Sequence, residues 1–299
     1  MAASNSNKFD FVDRELDRRK NEHRFRRLKS VHPVSAVEIR EYDRRMINFC
    51  ANDYLGLSKN ETLQKRAVQY LTTYGVGSTA SRLVCGNFDI FDAVEQKIAA
   101  LKETEAAMVL NSGYQANVSA ISALADKNAL ILSDQLNHNS IISGARLSRC
   151  TVRVYRHNDM DDLRRLLEKN ARSSGFSRVL IVTESLFSMD GDLSDLNALS
   201  AIADEFGAIL IVDDAHATGV MGRRGMGLTC GTGVDVVIGT FSKGCGVFGA
   251  YAACSQRVRD YLINCCPGFI YTTALPPQVI GAIDAALDVV PTMAIERQK

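Results

Sequence analysis

Lys243 is the residue of this chain with the clearest capacity for covalent chemistry. It lies within residues 240–249 (TFSKGCGVFG), directly after the apolar residues 236–238. Because small and apolar neighbours solvate an ammonium poorly, we expect a lowered pKa for the Lys243 amine and hence a nucleophile near neutral pH. The glycines leave room for a flat ligand beside it. A solvated turn lysine is the alternative, so the interpretation depends on the residues that accompany Lys243.

Two carboxylates and an imidazole follow a second apolar run, residues 208–212. These are Asp213, Asp214 and His216. Strand alternation points Asp213 and Asp214 to opposite faces, so only one of the two acids can reach a given ligand. Helix capping or a structural ion pair is one interpretation, and a metal site of acids and a histidine is the other.

A Ser-Gly turn and a further histidine follow two other apolar runs. Ser112, Gly113 and Tyr114 lie where residues 107–117 change from a strand pattern to a helix pattern. The N–H groups of Gly113 and Tyr114 would point outward at the positive end of that helix, which suits a phosphate. A plain N-cap by Ser112 explains the turn equally well. His138 could stack its flat ring on a ligand, although such a histidine is more often structural.

The elements that would position these residues alternate from residue 106 onward between short β-branched runs and helical stretches. The seven predicted strands are residues 107–110, 129–132, 151–155, 179–183, 208–212, 234–239 and 250–254. This alternation predicts an α/β fold with a mostly parallel seven-stranded sheet and helices on both faces. Ligands of such sheets bind at the carboxyl ends of the strands, which is where the candidate residues are predicted to lie.

The first hundred residues have a different organisation. Residues 8–29 are dense in both charge signs and predict a solvated surface helix. Residues 60–74 and 88–101 have helical periodicity, and residues 75–86 between them form a loop of small residues. The Gly-x-Gly of this loop does not indicate a dinucleotide site, because it follows a helix pattern and not a strand.

Composition excludes several classes of partner. Lys plus Arg (35) and Asp plus Glu (34) nearly cancel, so the chain has no electrostatic footprint for nucleic acid or an anionic membrane. No apolar run approaches the roughly 18 residues that span a bilayer. The eight cysteines include no Cys-x-x-Cys, which predicts reduced thiols. With no signal segment in residues 1–10, we expect a cytoplasmic protein.

The four strand ends together fit one organic ligand. Pyridoxal phosphate (PLP) requires an amine for its aldehyde, an anion facing its ring nitrogen, a hydrogen bond to its phenolic oxygen, a planar contact, and a helix N-terminus for its phosphate. Lys243, Asp213, His216 and His138 supply the first four, and the turn at Ser112 supplies the last. A metal site would leave Lys243 and that turn without a role.

The motifs resemble those of the PLP-dependent α-oxoamine synthases of the type I aminotransferase fold. The resemblance covers nearly the whole chain from about residue 9. The matching segments are residues 52–57 (NDYLGL), 75–86, 111–114 (NSGY), 137–138 (NH), 183–192 (TESLFSMDGD), 212–219 (VDDAHATG), 240–244 (TFSKG) and 271–277 (YTTALPP).

This resemblance implies roles for the residues around the cofactor ring. Lys243 would bind the aldehyde covalently and later act as the general base. Asp213 would pair with the ring nitrogen, and His216 would hydrogen-bond the phenolic oxygen. His138 would stack on the ring, and Ser188 would lie near the reacting groups.

The resemblance also implies contacts to the phosphate and the substrate. Asn52 resembles an asparagine that contacts a substrate carboxylate. The chain is expected to form a homodimer with its active site at the interface. The expected phosphate contacts are Ser112, Gly113, Tyr114 and Thr240 from the same chain and Thr272 and Thr273 across the dimer interface.

The implied reaction is a decarboxylative condensation of an amino acid with an acyl-CoA. We expect alanine and pimeloyl-CoA as substrates, and an α-amino ketone, CoA and CO₂ as products. Relatives that join glycine or serine to other acyl groups remain an alternative, as does a noncatalytic subunit that stabilises a partner chain. Residues 52–57 and 187–192 weigh against an aldolase or aminotransferase on the same fold.

The resemblance finally divides the chain into three parts. Residues 1–58 would form an N-terminal helix and arm, residues 59–291 the PLP-binding large domain, and residues 292–299 the start of a C-terminal region. Family members continue into a small C-terminal α/β domain that supplies an arginine for the amino-acid carboxylate. We expect this domain to be missing here, which affects substrate binding more than cofactor binding.

Overall fold

The computed structural model of the protein describes residues 8–170 and 175–298. The chain divides into two compact units between residues 49 and 50. The described residues do not include residues 1–7, 171–174 and 299. These fall in the predicted segments 1–58, 59–291 and 292–299, respectively. The three segment boundaries themselves stay a prediction.

The first unit contains one helix and a small antiparallel sheet. Helix α1 (Asp10–Asn21) has acids in its first turn and basic residues in its last turn, a distribution that favours the helix dipole. It buries none of its residues, as predicted for a solvated helix, although it is shorter than the predicted range. Strands β1 (His32–Pro33), β2 (Glu38–Glu41) and β3 (Arg44–Ile47) pair in sequence order. Their charged sequences show no clear alternation, and they were not predicted.

The second unit contains the predicted seven-stranded sheet. Its strands are β4 (Ala106–Leu110), β5 (Leu130–Asp134), β6 (Thr151–Tyr155), β7 (Val179–Glu184), β8 (Ile209–Asp213), β9 (Val236–Thr240) and β10 (Ala250–Cys254). All seven predicted strands are confirmed, with ends that differ by at most two residues. The order is β4-β10-β9-β8-β7-β5-β6, and β10 alone runs antiparallel to its two neighbours.

Helices cover both faces of this sheet. They are α2 (Glu61–Tyr74), α3 (Asp89–Lys102), α4 (Gly113–Leu124), α5 (Asn139–Leu147), α6 (Met160–Asn170), α7 (Leu196–Phe206), α8 (Gln256–Cys265), α9 (Pro267–Ile270) and α10 (Pro277–Val289). Ile131 packs with α4, α5 and α8, whereas its neighbours Leu130 and Leu132 pack with α6 and α7 on the opposite face. Since both faces are buried, the central strands are continuous apolar runs.

Helices α4 and α5 approach each other closely. A Cβ at Gly144 would lie 2.9 Å from the backbone oxygen of Asn117, so only glycine allows this spacing. The contact fixes the start of α5, and therefore His138, relative to α4. Among the described residues, no helix is long and apolar enough to cross a membrane. All eight cysteines are free thiols.

Candidate active site

A cavity of about 260 Å³ lies at the carboxyl ends of the strands. Eight of the predicted site residues line it: Ser112, Gly113, Tyr114, His138, Asp213, His216, Thr240 and Lys243. They lie at the ends of β8 and β9 or in the segments that directly follow β4, β5, β8 and β9. Because β4, β5, β8 and β9 point the same way, their carboxyl ends meet at one edge of the sheet, as predicted.

The two acids at the end of β8 have separate environments. Asp213 is buried, and its carboxylate accepts hydrogen bonds from Asn117 Nδ2 at 2.5 Å and from the Ala215 N–H at 2.9 Å. Asp214 pairs with Lys102 at 2.8 Å, and both side chains are fully buried. The strand-alternation prediction is therefore confirmed, and the structural ion pair belongs to Asp214. Within residues 8–170 and 175–298, no cluster of three acidic, histidine or cysteine side chains could hold a metal ion.

Burial shifts the ionisation of the groups that line the cavity. It lowers the pKa of Lys243, against the attraction of Asp213 and Glu184, and it raises the pKa of Asp213. Burial and then repulsion from Asp213 raise the pKa of Glu184 to about 7. Burial, followed by the charges of Lys243 and His138, lowers the pKa of His216 to about 4. His216 is therefore neutral at physiological pH.

The two histidines are oriented by hydrogen bonds to neighbouring residues. His138 Nδ1 lies 2.7 Å from Ser140 Oγ, and the His138 backbone N–H donates to Glu184 Oε1 at 2.7 Å. His138 thus caps α5 and also lines the cavity. His216 Nδ1 lies 2.8 Å from the Tyr54 hydroxyl.

The turn before α4 is free to bind an anion. The Ser112 side chain caps α4 by accepting from the Gln115 N–H at 3.3 Å. Among the described residues, no acceptor contacts the N–H groups of Gly113 and Tyr114. Thr240 lies beside Gly113, and its Oγ1 lies 2.8 Å from the Gly249 carbonyl oxygen. The N-cap interpretation is therefore confirmed, and the anion site at the same turn stays a prediction.

Four predicted residues lie outside this cavity. The Tyr54 hydroxyl oxygen lies 3.3 Å from Asn52 Oδ1 and 2.8 Å from His216 Nδ1, and its single proton can be donated to only one of the two. Ser188 is exposed and lines two smaller cavities, one bordered by His216 and the other by His138 and Glu184. The Thr272 hydroxyl and the Thr273 carbonyl both accept from Asn111 Nδ2, at 3.1 and 3.0 Å.

Five polar residues of the site were not predicted: Asn117, Ser140, Glu184, Ser242 and Tyr54. Glu184 ends β7, so the rule about strand ends could have found it. Asn117 lies one helical turn after Gly113, on the same face of α4. Ser140, Ser242 and Tyr54 carry no comparable signal, because serine and tyrosine are common in loops.

Comparisons with known proteins identify the family of this chain. Residues 44–299 match the model of the aminotransferase class I and II family. The chain is 57% identical over 291 residues to a putative 8-amino-7-oxononanoate synthase from Desulfosudis oleivorans, with 97% of this chain and 75% of that protein covered.

Two solved structures resemble the fold closely. One is a variant of the serine palmitoyltransferase from S. paucimobilis with a bound PLP-myriocin aldimine, with 27% identity, a TM-score of 0.86, and coverage of 97% of this chain and 76% of that one. The other is the 8-amino-7-oxononanoate synthase from Francisella tularensis, with 30% identity, a TM-score of 0.71, and coverage of 84% and 70%.

Proposed function

The chain belongs to the aminotransferase class I and II family and, within it, to the PLP-dependent α-oxoamine synthases, and we propose that it joins alanine to pimeloyl-CoA with release of CoA and CO₂. This is the reaction of 8-amino-7-oxononanoate synthase in biotin biosynthesis. One observation carries the proposal: Lys243, Asp213, His216 and His138 converge on one cavity.

The residues around this cavity fit PLP. An amine with a lowered pKa (Lys243), a buried carboxylate (Asp213) and a neutral imidazole (His216) line the same space. Gly113 and Tyr114 present N–H groups at the N-terminus of α4, where a phosphate is favoured by the helix dipole. This set supplies a partner of the correct charge for each polar group of the cofactor.

PLP, when bound, supplies an aldehyde that captures amines and a ring that withdraws electrons from the substrate's α-carbon. Lys243 would hold the cofactor through its amine, and the same amine, when free, would serve as the general base that accepts the substrate's α-proton. The desolvated carboxylate of Asp213 holds a proton at the cofactor's ring nitrogen, because a cation there offsets the cost of its burial.

His216 is positioned to donate a hydrogen bond. Its lowered pKa leaves the ring neutral with a single N–H. When the Tyr54 hydroxyl donates to Nδ1, at 2.8 Å, that N–H is on Nε2 and can donate to the cofactor's phenolic oxygen. His138 lines the same cavity, and we assign its ring the stacking contact.

Substrate and dimer contacts complete the proposal. Asn52 and Ser188 border the site on the side of His216, where we place the amino-acid carboxylate and the acyl thioester. We propose that Thr272 and Thr273 contact the phosphate in the active site of a second copy of the chain. A homodimer would then be required for full cofactor affinity.

The cofactor assignment is tested by replacing Lys243. The purified chain is loaded with PLP, reduced with borohydride, digested, and analysed by mass spectrometry. We expect the cofactor mass on the peptide that contains Lys243, and loss of visible cofactor absorbance in Lys243→Ala. Lys65→Ala, which changes an exposed lysine of α2, is the matched control and should retain both signals. Unchanged absorbance in Lys243→Ala would refute the covalent assignment.

The substrate assignment is tested by release of the CoA thiol. Alanine, glycine and serine are each combined with pimeloyl-CoA and with shorter and longer acyl-CoAs. We expect the highest kcat/KM for alanine with pimeloyl-CoA. A different best pair would replace the substrate assignment. No release with any pair, while Lys243 still carries the cofactor, would favour a noncatalytic subunit.

A further inference from the structure

A cluster of one histidine and two carboxylates lies beside the active site and has no role in the chemistry above. His157 follows β6, and its ring stands between two carboxylates. Nδ1 lies 2.8 Å from Asp134 Oδ1, and Nε2 lies 2.7 Å from Asp192 Oδ2. The ring is largely buried, with 22% of its side chain exposed, and Phe187 packs against it edge to face at 4.5 Å between centroids.

Both carboxylates also accept hydrogen bonds from groups other than the His157 ring. Asp134 also accepts from the Leu136 N–H at 2.8 Å and from the Asn158 N–H at 3.0 Å. Asp192 also accepts from Asn158 Nδ2 at 2.7 Å. Each ring nitrogen of His157 faces a carboxylate oxygen at hydrogen-bond distance, so a hydrogen bond to both acids requires an N–H on both nitrogens. Only the imidazolium form has two N–H donors.

The two acids belong to segments that carry active-site residues. Asp134 ends β5, four residues before His138, and its bond to the Leu136 N–H fixes the turn between them. Asp192 belongs to a hairpin of residues 186–193, which is closed by a bridge between Leu186 and Leu193.

The tip of the 186–193 hairpin borders the active site. Ser188 lines both of the smaller cavities, and Met189 beside it is almost fully exposed. The hairpin is also joined to the loop after β6 by Asn158, whose Nδ2 lies 3.2 Å from the Leu193 carbonyl oxygen. The position of Ser188 therefore depends on contacts made at the base of the hairpin.

We propose that His157, as an imidazolium, is a positioning residue that clamps the 186–193 hairpin, and with it Ser188, against the end of β5 beside His138. The ring donates to one carboxylate on each side, so the loss of either N–H releases one of the two segments. Asp134 and Asp192 are the charged groups that contact the ring. Its other neighbours are Phe187 and Asn158.

The clamp has a definite pH dependence. Burial alone would lower the pKa of His157, but the hydrogen bonds to Asp134 and Asp192 outweigh it and raise the pKa above the ordinary value. The stability that the clamp contributes is therefore present at the ordinary histidine pKa of 6.5 and is lost as the pH rises through the raised pKa of the folded protein. The consequence for substrate binding rests on the proposed function, whereas the clamp itself does not.

Hydrogen exchange of the full chain tests the clamp without reference to activity. We compare wild type with His157→Gln, whose amide can donate to only one of the two acids, and with Asp192→Asn. We expect amides of the 186–193 hairpin to exchange at least about tenfold faster in each variant, because each loses a charge-assisted hydrogen bond. His32→Gln, at an exposed residue of β1, is the control and should leave the hairpin unchanged.

A second measurement, on the wild-type protein, tests the clamp even if the variants misfold. The chain has five histidines, so ¹⁵N-labelled histidine side chains give a spectrum that the His157→Gln variant assigns. We expect His157 to titrate above the ordinary histidine pKa of 6.5 and the hairpin to lose protection as His157 titrates. A His157 pKa at or below 6.5 would overturn the proposal. Hairpin exchange rates that change neither on substitution nor on titration of His157 would also overturn it.

Kinetics then separate positioning from folding. We expect His157→Gln to raise the KM for a substrate at least tenfold, with less change in kcat and with PLP still bound to Lys243. A fall in kcat alone, with KM unchanged, would overturn the link to Ser188. If wild type is inactive, the hydrogen-exchange result still decides the clamp, so the two proposals fail separately.

Discussion

Glu184→Gln should make the protein more stable at high pH but not at low pH. Glu184 has only 5% of its surface exposed, and burial followed by repulsion from Asp213 raises its pKa from 4.5 to about 7. The folded state therefore binds this proton more tightly than the unfolded chain does. The resulting stability is fully present below pH 4.5 and is lost as the pH rises through about 7.

The size of the effect follows from that shift. At about 1.4 kcal/mol for each unit of pKa, ionised Glu184 costs the folded protein about 3 kcal/mol at pH 8 and less than about 1 kcal/mol at pH 5. Glutamine has nearly the same shape, and its amide oxygen can still accept from the His138 N–H. We therefore expect Glu184→Gln to gain about 2–3 kcal/mol relative to wild type between pH 5 and pH 8.

The assay is urea denaturation of the apo protein at pH 5 and at pH 8, with unfolding midpoints compared at constant slope. Asp213 and Lys243 are present in both proteins, so their direct titration largely cancels in the difference. Glu168→Gln, which neutralises an exposed acid of α6, is the control and should show no such dependence on pH. The same stability difference between wild type and Glu184→Gln at both pH values would refute the assignment of a raised pKa to Glu184.

Three further predictions concern the cavity and its support. Asp213→Asn should keep PLP bound but lower kcat at least about 100-fold, because the charge that favours the ring cation is lost. Cofactor titration measures PLP binding and thiol release measures kcat. A kcat near the wild-type value would contradict the proposed role of Asp213. Lys102→Met should destabilise the protein by about 3–5 kcal/mol, because it leaves Asp214 buried without its cation. Urea denaturation measures this change in stability. Combining Lys102→Met with Asp214→Asn should recover part of the lost stability. Gly144→Ala should cost about 1–3 kcal/mol, because the new methyl group clashes with α4. Gly77→Ala, where a Cβ meets nothing within 4 Å, is its control, and equal melting temperatures would argue against the close helix contact.

Much of this protein could be predicted from local patterns. Apolar runs of four to six residues indicate strands that are buried on both faces. The alternation of these strands with helices leaves few possible arrangements of the sheet. Once the strands are parallel, polar residues that follow them must meet at one edge. For that reason Asp213, His138 and Lys243 could be placed near one another before any coordinates were known.

Other features depend on residues that are distant in the chain. The antiparallel position of β10 between β4 and β9 has no local signal, because its sequence resembles that of the parallel strands. Lys102 reaches Asp214 across 112 residues of sequence, and no spacing rule connects them. The sequence alone also could not show which acid of the Asp213–Asp214 pair had a buried cation as its partner.

The sequence by itself determined the strands, the family and the residue types at the edge of the sheet. Only the tertiary structure decided how those residues ionise and which neighbouring groups hold them in position. Glu184 is an ordinary acid in the sequence, and His157 is an ordinary loop histidine. Their shifted pKa values arise from desolvation and from hydrogen bonds to distant groups. Both depend on the three-dimensional distribution of charge and solvent, which a one-dimensional pattern does not contain.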